Sequence, residues 1–120
     1  MAADRLRTSP ATYTTSPKYI GIGVGATGAG RTAAAADTVL STEVETRYTG
    51  DESTVTTTQT GDTYQTKSTN GTTATASRAV DESGTFDAST SGNMCMSATF
   101  PVVNLLSGDS IVETWKYQVT

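Results

Sequence analysis

From Asp51 onward apolar and polar residues alternate with a period of two, in short runs broken by Gly, Pro, Asn or Asp roughly every ten residues. A helix needs an apolar repeat of three to four, and none persists there, so this stretch must fold as strands. Residues 53–60 (STVTTTQT) and 62–69 (DTYQTKST) flank Gly61 as a Thr-rich hairpin, and Asn70-Gly71 marks the next turn. Residues 72–80 read as a further strand. In 81–93, Gly84 and Gly92 suggest tight turns around a short piece centred on Phe86. Met94, Met96, Ala98 and Phe100 then alternate in a half-buried strand expected to stop at Pro101. A last alternation puts Ile111, Trp115, Tyr117 and Val119 on one face, interrupted by Glu113, with Trp115 the expected centre of the core. Ser and Thr make up about a third of the chain, and their hydroxyls suit solvent-facing or cross-strand positions. The expected fold is all-β: an antiparallel β-sandwich or barrel, jelly-roll-like, of six to eight short strands.

The first fifty residues add three features. Residues 1–18 show neither hydrophobic period and carry Pro10 and Pro17, the pattern of an extended N-terminal arm preceding a body at 19–120. In 19–25, Ile20, Ile22 and Val24 share one strand face, while Gly21, Gly23 and Gly25 leave the other nearly bare. Residues 32–48 mix alanines with Leu40 and Val44 at i, i+4 spacing, which suggests one short helix or turn near 33–47.

YIGIGVGATGAGRT (19–32) satisfies G-x-G-x-x-G, and with Arg31 in place of lysine it also resembles a Walker A loop. A phosphate loop needs a parallel sheet with a βαβ crossover, a lysine and a second acid for magnesium. The antiparallel pattern supplies none of these, so the segment is expected to contact protein and to bind no nucleotide.

Charge narrows the function further. The net charge is −4; Arg5, Arg7 and Lys18 against Asp4 give residues 1–18 a balance of +2, leaving −6 for 19–120. An acidic body argues against nucleic-acid binding. With one cysteine, Cys95, and no histidine, an internal disulfide, the common zinc sites and a Ser-His-Asp site are all unavailable. A reducing compartment and a soluble chain with no signal-like or membrane-spanning run are expected. Glu43 and Glu45, like Asp51 and Glu52, read as solvated surface charge. Asp81, Glu82 and Asp87 read as an acidic loop without the donor spacing of a calcium site. Cofactors, metals and catalytic residues are therefore expected to be none.

Two stretches, 19–48 and 82–119, resemble a group of small virion structural proteins of tailed bacteriophages. The matching positions are Gly23, Gly25, Asp37, Thr38, Leu40 and Glu43, then Glu82, Gly84, Phe86, Asp87, Ala88, Phe100, Gly108, Asp109, Ser110, Thr114 and Trp115. The chain departs from that group in lacking a Pro after the glycine segment, in placing Arg31 within the loop, and in the arm. The group is variously regarded as head decoration (cement), tail or fibre-associated. The resemblance implies a capsid cement protein on the virion surface, made in the host bacterial cytoplasm, that binds the major capsid protein and itself, as a trimer, with no nucleic acid and no membrane. The arm lies outside the resemblance and is read by itself: Arg5, Arg7, Tyr13, Lys18 and Tyr19 are the expected partner interface, while strand alternation gives Ile20, Ile22, Val24, Phe86, Met96, Phe100 and Trp115 as the expected core. A tail, neck or fibre adaptor and a carbohydrate-binding module on the virion surface are the alternatives.

Overall fold

The fold is an antiparallel β-sandwich, seen in a computed structural model that describes residues 16–31 and 38–118. Nine strands occur among the described residues: β1 (Tyr19–Val24), β2 (Glu43–Thr49), β3 (Asp51–Val55), β4 (Thr63–Lys67), β5 (Thr72–Thr73), β6 (Arg78–Phe86), β7 (Met94–Leu105), β8 (Ser110–Ile111) and β9 (Thr114–Gln118). They form a four-stranded sheet in the order β2-β1-β6-β7, a three-stranded sheet β3-β4-β9 and a two-stranded sheet β5-β8.

The alternation of β1 decides the layering. Ile20 and Ile22 point inward with their cross-strand partners Thr85 and Ser83. Ile22, Ala74, Val80 and Leu105 form a buried cluster, with Val24, Val44, Phe100 and Ile111 packed against it, so β5-β8 covers one end of the large sheet. The other end is covered by β3-β4-β9, where Thr66 of β4 donates its hydroxyl to the Lys18 carbonyl at 3.4 Å. The Thr-rich hairpin is thus no solvent-facing ribbon: Thr63, Tyr64 and Thr66 of β4 are buried. Its connection is a seven-residue loop, 56–62, held by Asp62, whose carboxylate accepts the N–H groups of Thr57, Thr58 and Gln59 at 2.9–3.0 Å.

The structure corrects several sequence expectations. No helix occurs among the described residues; of the segment 33–47, residues 33–37 lie outside them and 43–47 belong to β2. Leu40 and Val44 do not share a helix face. Val44 sits opposite Ile22 on the inner face, whereas Leu40 reaches Gly84 on the outer one. Pairing with β1 overrides a weak helical preference in a segment rich in Thr and Val. Gly84 makes no turn but lies mid-strand in β6, opposite Gly21 and Ser97. Pro101 does not end β7. It sits where the β6–β7 register shifts between Val80 and Glu82, on the strand at the sheet edge, where a missing N–H is tolerated. The last alternation divides into β8 and β9, which belong to different sheets. Trp115 is accordingly half-buried opposite Thr66, and the centre of the core lies around Ile22 and Val80. Among the other expected core positions Ile20 and Phe86 are buried, while Val24, Met96 and Phe100 are half-buried.

Gly84 is a close approach. A Cβ there would lie 2.9 Å from Met94 Sδ and 3.1 Å from the Met96 carbonyl oxygen. Gly84→Ala should lower stability by about 1–2 kcal/mol through overpacking, read as a lower denaturant midpoint with an unchanged slope.

Candidate functional site

The bare face of β1 is the outer face of the large sheet, and acidic side chains fill it. A Cβ on Gly23 would fall 2.8 Å from Glu82 Cγ, and one on Gly21 would fall 2.8 Å from Glu43 Oε2 and 3.0 Å from Phe86 Cε1. The glycines therefore make room for side chains that lie flat on the sheet. Glu82 is fully buried (0% exposed), accepts the N–H groups of Ser41 and Thr42 at 2.5 and 3.3 Å, and is ion-paired with Arg31. Its neighbour Asp81 accepts the N–H groups of Ala26 and Thr27 at 3.1 and 2.8 Å. Burial opposes ionisation of Asp81, but the amide donors of Thr27 and Ala26 outweigh it and hold the carboxyl below its usual range.

This geometry answers the motif. Backbone amides at a glycine-rich turn and a nearby cation do gather an anion, and the anions are the chain's own carboxylates. Arg31, in the place of the Walker lysine, meets Glu82, and the turn amides meet Asp81. Asp81 and Glu82 belong to the middle of β6 and Asp87 follows directly after it; all three are buried, so the expected acidic loop is replaced by internal fasteners.

A cleft of about 570 Å³ opens beside this face, between β2, the 75–78 segment and the 87–93 loop. Its floor comes from a bulge in β2, where three residues, 45–47, oppose Gly21 and Glu45 adopts φ 64°. A non-glycine residue in that region is strained unless its surroundings hold it there. Here the Glu45 carboxylate accepts the Thr75 N–H and Arg78 Nε–H, each at 2.9 Å. Its pKa is lowered, first by the Thr75 amide and, against the cost of burial, by Arg78. Glu45 is therefore no solvated surface charge: its side chain is only 5% exposed.

Arg47 forms the second pair. Its Nε and Nη2 donate to Glu43 at 2.7 and 2.9 Å, and Nη1 donates to the carbonyls of Ala88 and Ser91 at 2.9 and 2.6 Å. The guanidinium lies 3.5 Å from the Phe86 ring centre. Asp87 closes the same loop by accepting both Asn93 N–H and Nδ2–H, at 2.7 and 3.1 Å. Sequence reading missed Arg47 and Arg78 as site residues; the available signal was two arginines within reach of a Glu-x-Glu pair, invisible without the bulge.

The third surface is the outer edge of β7, with which no strand pairs among the described residues. Along it Val102 is 44% and Leu106 66% exposed, with Val103 also open to solvent. A shallower depression of about 370 Å³, lined by Thr27, Arg31, Phe100 and Pro101, adjoins the strand.

Of the expected partner-interface residues, Arg5, Arg7 and Tyr13 lie outside the described residues. Lys18 and Tyr19 are half-buried in the body: the Lys18 carbonyl accepts the Gly50 N–H at 2.8 Å, and Tyr19 pairs with Thr49 and Phe86. Ser16 and Pro17 are buried too, so the body extends N-terminally of residue 19. On the outer face of the large sheet Gly23 meets Glu82, Leu40 meets Gly84, and Glu43 lies beside Phe86 at Gly21.

Fold and surfaces together define an antiparallel β-sandwich with a polar cleft and, among the described residues, an open apolar edge at β7. No family model, curated protein or solved structure matches the chain.

Proposed function

We propose that this is a non-enzymatic virion structural protein of a tailed bacteriophage, a head decoration (cement) protein that self-associates, as a trimer, over junctions of the major capsid protein. The observation that supports this most directly is the outer edge of β7, with which no strand pairs among the described residues, together with the exposed Val102, Val103 and Leu106 along it. A long sheet edge flanked by apolar side chains is a surface that association covers. The sequence resemblance points the same way, and six of its matching positions, Gly23, Leu40, Glu43, Glu82, Gly84 and Phe86, meet on the outer face of the large sheet. In this reading the β7 edge packs on the shell and the segment carrying Arg5, Arg7 and Tyr13 reaches an adjacent subunit, adding buried area.

Purified capsids stripped of accessory proteins provide the test. The full chain should saturate them, whereas a variant lacking residues 1–15 and a Val102→Asp/Leu106→Asp variant should stay folded and occupy about tenfold fewer sites. The truncation stops at residue 15 because Ser16 and Pro17 are buried in the body. Unchanged occupancy by both variants sinks the proposal, as does a copy number of a dozen or fewer per particle, which belongs to a tail or neck adaptor.

A further inference from the structure

We propose that the cleft beside β2 is a binding site for a neutral saccharide, an activity separate from shell binding. Four features of the cleft lead there. Its volume, about 570 Å³, falls in the range of small-ligand sites. Its charges cancel, because Glu43 faces Arg47 and Glu45 faces Arg78, so neither an anion nor a cation is favoured. Arg78 uses only Nε on Glu45; among the described residues its two terminal amino groups make no hydrogen bond. The free guanidinium edge offers donors to the cleft and the part-exposed Glu43 carboxylate offers acceptors, and sugar hydroxyls, each able to donate and to accept, satisfy both.

The fourth feature is the rim. Ser89 and Thr90 are exposed on the 87–93 loop, yet Arg47 pins that loop through the carbonyls on either side of them. Their hydroxyls are thus held over the cleft before any ligand arrives, which reduces the ordering cost of binding. Keeping the loop in place accounts for Arg47. It leaves the free edge of Arg78 and the strained backbone of Glu45 without a use, and a ligand in the cleft supplies one.

The experiment is an amide ¹H–¹⁵N titration of the full chain with oligosaccharides of glucose, galactose, mannose and N-acetylglucosamine, with sodium acetate and inorganic phosphate as anion probes. At least one saccharide should shift amides of residues 45–47, 75–78 and 88–91 in a saturable way, and the anions should not. A Ser89→Ala/Thr90→Ala variant, which touches only exposed hydroxyls, should bind that saccharide roughly tenfold more weakly. Arg78→Lys, which keeps the charge and removes the planar edge, should weaken it likewise while its spectrum stays that of a folded chain. The proposal is overturned if no saccharide shifts these amides, if the shifts fall elsewhere, if both variants bind as the native chain does, or if acetate or phosphate binds the cleft more tightly than any saccharide.

Discussion

Arg31→Met should destabilise the protein by about 3 kcal/mol, because it strands the fully buried Glu82 carboxylate without its cation. Burying a charge is tolerable only when partners replace the lost water, and the amides of Ser41 and Thr42 do so in part. The double variant Arg31→Met/Glu82→Gln removes the stranded charge and should recover a large part of the loss, since an amide in the same place keeps its acceptor oxygen for those N–H groups. Urea denaturation of the two single variants and the double variant, as a thermodynamic cycle, measures this coupling. A loss under about 1 kcal/mol for Arg31→Met would show that Arg31 is merely an exposed ion-pair partner.

The second large effect is a dependence on pH centred on Glu113. This residue lies between β8 and β9 and its backbone is tied to Ser68: its N–H donates to Ser68 Oγ at 2.7 Å and its carbonyl accepts the Ser68 N–H at 2.9 Å. Its side chain turns inward toward Ser83 of β6, and one carboxyl oxygen has no hydrogen-bond partner among the described residues. Burial pushes its pKa up to about 7 from an ordinary 4.5, and Ser83 offsets this only partly. The Ser83 hydroxyl also donates to the Gly21 carbonyl at 2.9 Å. Because the folded-state pKa lies above the unfolded one, the stabilisation is fully present below pH 4.5 and is lost as pH rises to about 7, on the order of 2–3 kcal/mol. Asp81 and Glu45 act in the opposite sense. Their lowered pKa values add stability above the usual carboxylate range and lose it in acid, so maximum stability should fall between the two regimes, at mildly acidic pH. Glu113→Gln should raise the melting temperature at pH 8 and flatten the alkaline side of the profile. An unaltered profile in that variant rules out Glu113 as the titrating group.

Much of the strand pattern was legible in the sequence because side-chain alternation is a local property. Ile20 and Ile22 in β1, the hairpin around Gly61 and the turn at Asn70-Gly71 all follow from it. Gly71 does adopt φ 80° and donates its N–H to the Ser68 carbonyl at 2.9 Å. The turn nevertheless joins strands of different sheets, since β4 pairs with β3 and β9 whereas β5 pairs with β8. Gly84 was misleading for the opposite reason: glycine permits turns, and here the requirement is for space against Met94 and Met96. The cleft was least legible. Glu43 and Glu45 look like ordinary surface acids until the β2 bulge turns Glu45 toward Thr75 and Arg78, about thirty residues away.

The sequence by itself determined the class of the fold, for a period of two in short Thr-rich runs allows nothing but antiparallel strands. It also excluded histidine chemistry and a disulfide within these 120 residues. Only the tertiary structure decided the role of each charge. Asp81, Glu82, Glu45 and Glu113 are equivalent as letters, but one caps a glycine turn, one fills the space above Gly23, one holds a strained bulge and one sits half-satisfied between two sheets. The reason is physical: alternation is set by neighbours one and two residues away, whereas the energy of a carboxylate depends on donors brought to it from thirty to fifty residues away.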